Sequence, residues 1–114
     1  MTDLSNRPAQ LATELHRRGA RFVVVGSAAR WLTTGDGTPR DLDVAVCRDD
    51  LPVLATALAG LGVATTADRL GLAGQSHVDT SWGPLDVFVD DTTQPRVAKY
   101  DRGGRTWQLA VVPA

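Results

Sequence analysis

The chain has 114 residues, 43% hydrophobic and 22% charged, with twelve Lys and Arg against thirteen Asp and Glu. That is enough apolar material for one core in one domain spanning residues 1–114 and too little for two, and a net charge of −1 with a pI near 6.0 excludes a generally basic nucleic-acid coat. No stretch approaches the roughly 18 apolar residues that cross a bilayer, the opening from Met1 to Pro8 lacks a basic-then-apolar signal pattern, and the lone Cys47 has no partner for an internal disulfide, so a cytoplasmic protein with no membrane partner is expected.

In chain order, Ser5 or Asn6, then Pro8 and the periodic Leu11, Ala12 and Leu15, predict a capped amphipathic helix over about residues 8–18, ended by Gly19. Phe22 to Val25 is a short apolar run that reads as a buried strand, punctuated by Gly26-Ser27 and followed by a second helix through Ala28, Ala29, Trp31 and Leu32. Thr33 to Pro39 is dense in turn formers and reads as a loop delivering the chain to a strand over Leu42 to Cys47. Asp49 or Asp50 caps a third helix with Pro52 in its first turn, Leu51, Leu54, Leu58 and Leu61 at helical spacing, and Gly60 and Gly62 as stops. Val63 to Thr66 reads as a short strand.

His77 to Trp82 and Leu85 to Val89 predict a hairpin joined at Gly83-Pro84, with Asp86, Phe88 and Asp90 on one face of its second arm and Val87 and Val89 on the other. Thr92 to Tyr100 leaves open a helical turn interrupted by Pro95, and Thr106 to Val112 reads as the last strand.

The chemistry concentrates at three points. Asp41 and Asp43, two apart on a strand, project from one face and can reach one cation, while Leu42 and Val44 point into a core. Gly26 and Ser27 sit where a strand turns into a helix, and the N–H groups and dipole of a helix start favour phosphate, though Gly-Ser is also an ordinary turn and cap. Asp86, flanked by apolar residues on a later strand, can complete the set. Carboxylates plus substrate phosphates are how Mg²⁺ is usually held, and three of them can hold two ions about 3.5–4 Å apart.

Arg30, one helical turn beyond Ser27, can reach a triphosphate or be a plain surface arginine. Arg40 can pair with the aspartates or meet an acceptor. His77 and Asp79 alternate on one face of the first hairpin arm, where His77 is either a general base or, the better default, a surface or structural histidine. Cys47 and the scattered Trp31, Trp82 and Trp107 read as packing residues rather than chemistry. Arg96, Lys99, Arg102 and Arg105 form a basic cluster that suits an RNA acceptor or simply a solvated face.

Gly26, Ser27, Asp41, Asp43 and Asp86 together resemble the signature of the nucleotidyltransferase superfamily: apolar strand, Gly-Ser, helix, Asp-x-Asp on the next strand, and a third Asp on a later one. The resemblance covers roughly residues 20–90, and the long gap between Ser27 and Asp41 is more similar to the abortive-infection type toxins than to minimal nucleotidyltransferase antitoxins. It implies an α/β (α+β) fold, a mixed β-sheet flanked by helices, which binds NTP and Mg²⁺. It also implies transfer of a nucleoside monophosphate to a hydroxyl or phosphate of RNA, protein or a small molecule, with release of pyrophosphate. In those terms Asp41, Asp43 and Asp86 are catalytic metal ligands, and Gly26, Ser27 and Arg30 bind nucleotide. Relatives usually continue into C-terminal helices, whereas this sequence stops at Ala114, so a noncatalytic nucleotide-binding or interaction module, such as one partner of a toxin-antitoxin pair, stands as the alternative. A homodimer covering its apolar surface with a second copy is a further one.

Overall fold

A computed structural model describes residues 6–112. The elements run α1 (Arg7–Arg17), β1 (Val23–Val25), α2 (Gly26–Thr34), β2 (Leu42–Val46), a 3-10 turn (Arg48–Asp50), α3 (Leu51–Gly60), α4 (Ala67–Gly71), β3 (Gln75–Thr80), β4 (Gly83–Val89), β5 (Val97–Arg102) and β6 (Arg105–Ala110). The result is an α+β fold built on a mixed four-stranded sheet of order β1-β2-β4-β3, with β5 and β6 as a separate two-stranded ribbon.

Alternation explains the sheet. In β2, Leu42, Val44 and Val46 are buried while Asp43 and Ala45 are half-buried on the opposite face, and β4 repeats this with Leu85 and Val87 against Asp86 and Phe88. The buried rows meet the helical layer. Leu11, Ala12 and Leu15 of α1, Ala28, Ala29 and Leu32 of α2, and Leu54 and Leu58 of α3 join them in one core. The opposite face, with Asp43, Ala45, Asp86 and Phe88, lies outside this core, and no helix covers it among the described residues. β2 pairs antiparallel with β1 and parallel with β4, and β3 pairs antiparallel with β4. Beyond β6, Val111 bridges Val24 in parallel and the Val112 N–H donates to the Val24 carbonyl at 2.9 Å, so the chain's last described residues flank β1.

Trp107 and Trp31 anchor the ribbon to α2, meeting edge to face with ring centroids 6.3 Å apart. The Trp107 indole N–H donates to the Arg102 carbonyl at 3.0 Å, and the Arg105 guanidinium lies 4.4 Å over its ring. Both tryptophans are core residues, as their scattering suggests.

Several local expectations are corrected. Val63 to Thr66 is not a strand. It leads into α4, a helix too short to show periodicity, whose cap is Thr66: its Oγ1 accepts from the Arg69 N–H at 3.1 Å. Thr92 to Tyr100 contains no helical turn, because Val97 onward pairs with β6 around Gly103-Gly104. The β3–β4 turn falls at Ser81-Trp82, and Gly83 and Pro84 already belong to β4. Asn6 and Asp50 precede α1 and α3 without a side-chain capping bond, both being in helical backbone conformation, while Ser5 lies outside the described residues. Replacing Thr66 by Ala is therefore expected to lower stability by about 1 kcal/mol, read from urea unfolding.

Among the described residues no helix is long and apolar enough to cross a membrane.

Candidate functional site

The parallel pairing of β2 with β4 sets Asp43 directly opposite Asp86. In-register neighbours are about 4.8 Å apart, so two carboxylates of like charge share the sheet's helix-free face. The Asp43 carboxyl is pushed above its ordinary value, first by burial, then by the charge of Asp86 and a close side-chain contact with it, and last by the charge of Asp41. Burial and like charge thus both disfavour the ionised form of Asp43.

β1 ends at Val25, opposite Asp43, and the next residue opens α2. Gly26 adopts φ +69°, and a Cβ there would lie 2.5 Å from Asp43 Oδ2. Only glycine lets this backbone approach the carboxylate, so the helix start and the aspartate are brought into contact by one residue. Ser27 follows, exposed in the first turn of α2, where backbone N–H groups have no partner within the helix.

Of the three expected carboxylates, Asp43 and Asp86 lie opposite one another on paired strands and Asp41 immediately precedes β2. Asp41 occupies a bend just before β2 and is exposed, near enough to act on Asp43 by charge but off the strand that aligns the others. Among the described residues no group of three His, Cys, Asp or Glu side chains forms a ready metal cage. Arg30 is exposed on α2 with its Nη2 3.6 Å from Asp36 Oδ2, an ion pair across the loop that follows α2.

The search of family models, curated proteins and solved structures finds no match to this chain.

The row extends past Asp86. His77 on β3 is in register with Asp86, its Nδ1 2.8 Å from Asp86 Oδ1 and its Nε2 2.9 Å from Asp79 Oδ1. Ionised carboxylates only accept, so satisfying both requires both ring nitrogens to donate, which is the imidazolium form. Accordingly the His77 pKa is raised, chiefly by the hydrogen bond to Asp86, then by that to Asp79, with partial desolvation opposing. The row across the open face reads Val25, Asp43, Asp86, His77, with Asp79 beside the last.

That His77 engages Asp86 was visible in sequence only as shared alternation within the hairpin. The register that joins them, and the position of Asp79 on the second ring nitrogen, depend on where the turn falls. Asp86→Asn is expected to move the His77 titration, followed by imidazole proton NMR, back down toward its ordinary value of 6.5; an unchanged midpoint would rule out Asp86 as the main cause.

Proposed function

We propose that the chain is a Mg²⁺-dependent nucleotidyltransferase that moves a nucleoside monophosphate from NTP to an acceptor hydroxyl or phosphate. The observation that carries this reading is the contact of Gly26, at the start of α2, with Asp43, which itself faces Asp86 across β2 and β4. A phosphate site and a paired-carboxylate site then adjoin through one glycine.

The fit of a dication rests on charge and donor type. Asp43 and Asp86 offer hard oxygens, and burial and the neighbouring charges of Asp86 and Asp41 disfavour the ionised form of Asp43, an effect that a dication would reverse. With Asp43 and Asp86 holding such an ion, phosphate oxygens and water would supply its other ligands, and Asp41 is near enough to act on Asp43 by charge. When bound, the ion neutralises the triphosphate and favours the ionised form of an attacking hydroxyl. The chain's own contributions are separate. The Gly26-Ser27 backbone orients the phosphates, and the Asp86 carboxylate, fixed by His77 Nδ1, accepts hydrogen bonds or charge at the reacting end. The His77 imidazolium and a dication would compete for Asp86, so this carboxylate is poised between an internal counter-ion and an external one. In this reading the acceptor is RNA, a protein or a small molecule, and the setting is the cytoplasm.

The test is incubation with α-labelled NTPs, Mg²⁺ and RNA, protein and small-molecule acceptors. Labelled product that disappears with EDTA is expected. The second reading, a noncatalytic nucleotide-binding or toxin-antitoxin interaction module, is favoured by one observation: His77 already supplies Asp86 with a positive partner. Calorimetry separates the two readings. NTP binding that strengthens with Mg²⁺ supports the enzyme, and no metal-dependent binding supports the module.

A further inference from the structure

A cleft of about 390 Å³ lies on the same face of the sheet as Asp43 and is lined by Val25, the strand partner of that residue. Its volume lies within the span of small-molecule sites, about 300–1,000 Å³. The floor is aliphatic: Val25 lies opposite Asp43, and Val23 lies opposite Ala45 one pair further along β1 and β2, about 7 Å away at strand spacing. The end of the chain from Ala110 to Val112, held against β1, forms one wall. The segment after β4 forms the opposite rim and presents Thr93, Gln94 and Arg96.

This rim is braced. The Asp90 N–H donates to the Val46 carbonyl at 2.9 Å, and Asp90 Oδ1 accepts from the Thr92 N–H at 3.0 Å and the Thr92 hydroxyl at 2.6 Å. The Thr93 N–H closes a turn on the Asp90 carbonyl at 3.1 Å, and the Arg48 N–H donates to Asp91 Oδ1 at 2.7 Å. A fixed apolar floor with a hydroxyl, an amide and a guanidinium along one edge suits a flat ring with a polar edge.

We propose that this cleft seats the nucleoside half of the NTP, the base lying on Val23 and Ala45 with its edge toward Thr93 and Gln94. The proposal rests on the nucleotidyltransferase reading for what lies at Asp43 and Asp86. Continuity favours the nucleoside over the acceptor. Val25 is both part of the floor and the residue before Gly26, so a ligand in the cleft runs directly into the phosphate site. An acceptor attacking in line enters opposite the departing pyrophosphate, away from the start of α2.

The experiment titrates the full chain with the four NTPs, the four nucleosides and inorganic tripolyphosphate, in Mg²⁺, by calorimetry and amide NMR. At least one nucleoside should shift the amides of Val23, Ala45 and Gln94. Ala45→Trp, which fills the floor, should weaken the corresponding NTP at least about tenfold, by some 1.4 kcal/mol, while leaving tripolyphosphate affinity unchanged. The rim variant Thr93→Val/Gln94→Ala keeps the test open should Ala45→Trp fail to fold, and it should weaken both the nucleoside and its NTP by a similar factor while leaving tripolyphosphate affinity unchanged. The proposal is overturned if no nucleoside shifts these amides, if the rim variant binds NTP as wild type does, or if the cleft responds only to an acceptor such as RNA. Failure of the function reading looks different: tripolyphosphate shows no Mg²⁺-dependent binding whatever the nucleosides do.

Discussion

Asp43→Asn should abolish nucleotidyl transfer, by about 10³-fold or more, in a protein that stays folded. On the proposed function Asp43 would be a charged ligand at the reacting phosphate, where metal and electrostatic stabilisation amounts to several kcal/mol and each 1.36 kcal/mol is tenfold in rate. Folding should survive because the Asp43 charge is a burden on the native state rather than a support. Its native pKa lies above the ordinary 3.8. Between 3.8 and that raised value the native state therefore binds more protons than the unfolded one, and stability falls as pH rises through this window. His77 acts in the same direction at higher pH. Its pKa is raised above 6.5, so its stabilising contribution is complete below 6.5 and is lost as pH climbs through the raised value. Thermal melts in EDTA from pH 4 to pH 8 should show Asp43→Asn at or above the wild-type midpoint near neutrality, with the difference shrinking toward acid. A variant that melts several degrees lower at neutral pH would mean that Asp43 is structural, and transfer within tenfold of wild type would remove it from the site.

Gly26→Ala is expected to damage both fold and function. The left-handed backbone at φ +69° costs an L-residue about 1–2 kcal/mol. The new Cβ, 2.5 Å from Asp43 Oδ2, must also drive the carboxylate out of its row. A total loss of about 2–3 kcal/mol in urea unfolding follows, together with loss of Mg²⁺-dependent NTP binding. The double variant Gly26→Ala/Asp43→Ala separates the causes. With the carboxylate gone the steric part should be recovered, leaving only the backbone cost, so the two substitutions should be strongly non-additive. Simple additivity would show that Gly26 and Asp43 do not meet as described.

Much of the sheet was readable from residue order. Leu42-Asp43-Val44-Ala45-Val46 and Leu85-Asp86-Val87-Phe88-Val89 alternate cleanly because one face of each strand is buried and the other is not. Gly26-Ser27 likewise marked the start of α2. The ribbon was harder to read. Val97, Ala98 and Lys99 of β5 are exposed, so little burial pattern exists to detect, and the clue that remained was Gly103-Gly104, whose positive φ angles make the turn. In α4 the pattern is too short for a helical period, and Thr66 at its cap was the usable signal.

Sequence alone determined which residues share a face, since side-chain direction alternates with position along a strand regardless of what lies beside it. It thereby placed Asp43 with Ala45 and Asp86 with Phe88. Only the tertiary structure decided which of these stand opposite one another. β2 and β4 are parallel neighbours separated by α3, α4 and β3, and their register is set by how those elements pack, not by any local turn. That packing puts Asp86 against Asp43, gives His77 to Asp86, leaves Asp41 in the bend before the strand, and turns Val23, Val25 and Ala45 into the floor of a cleft beside them.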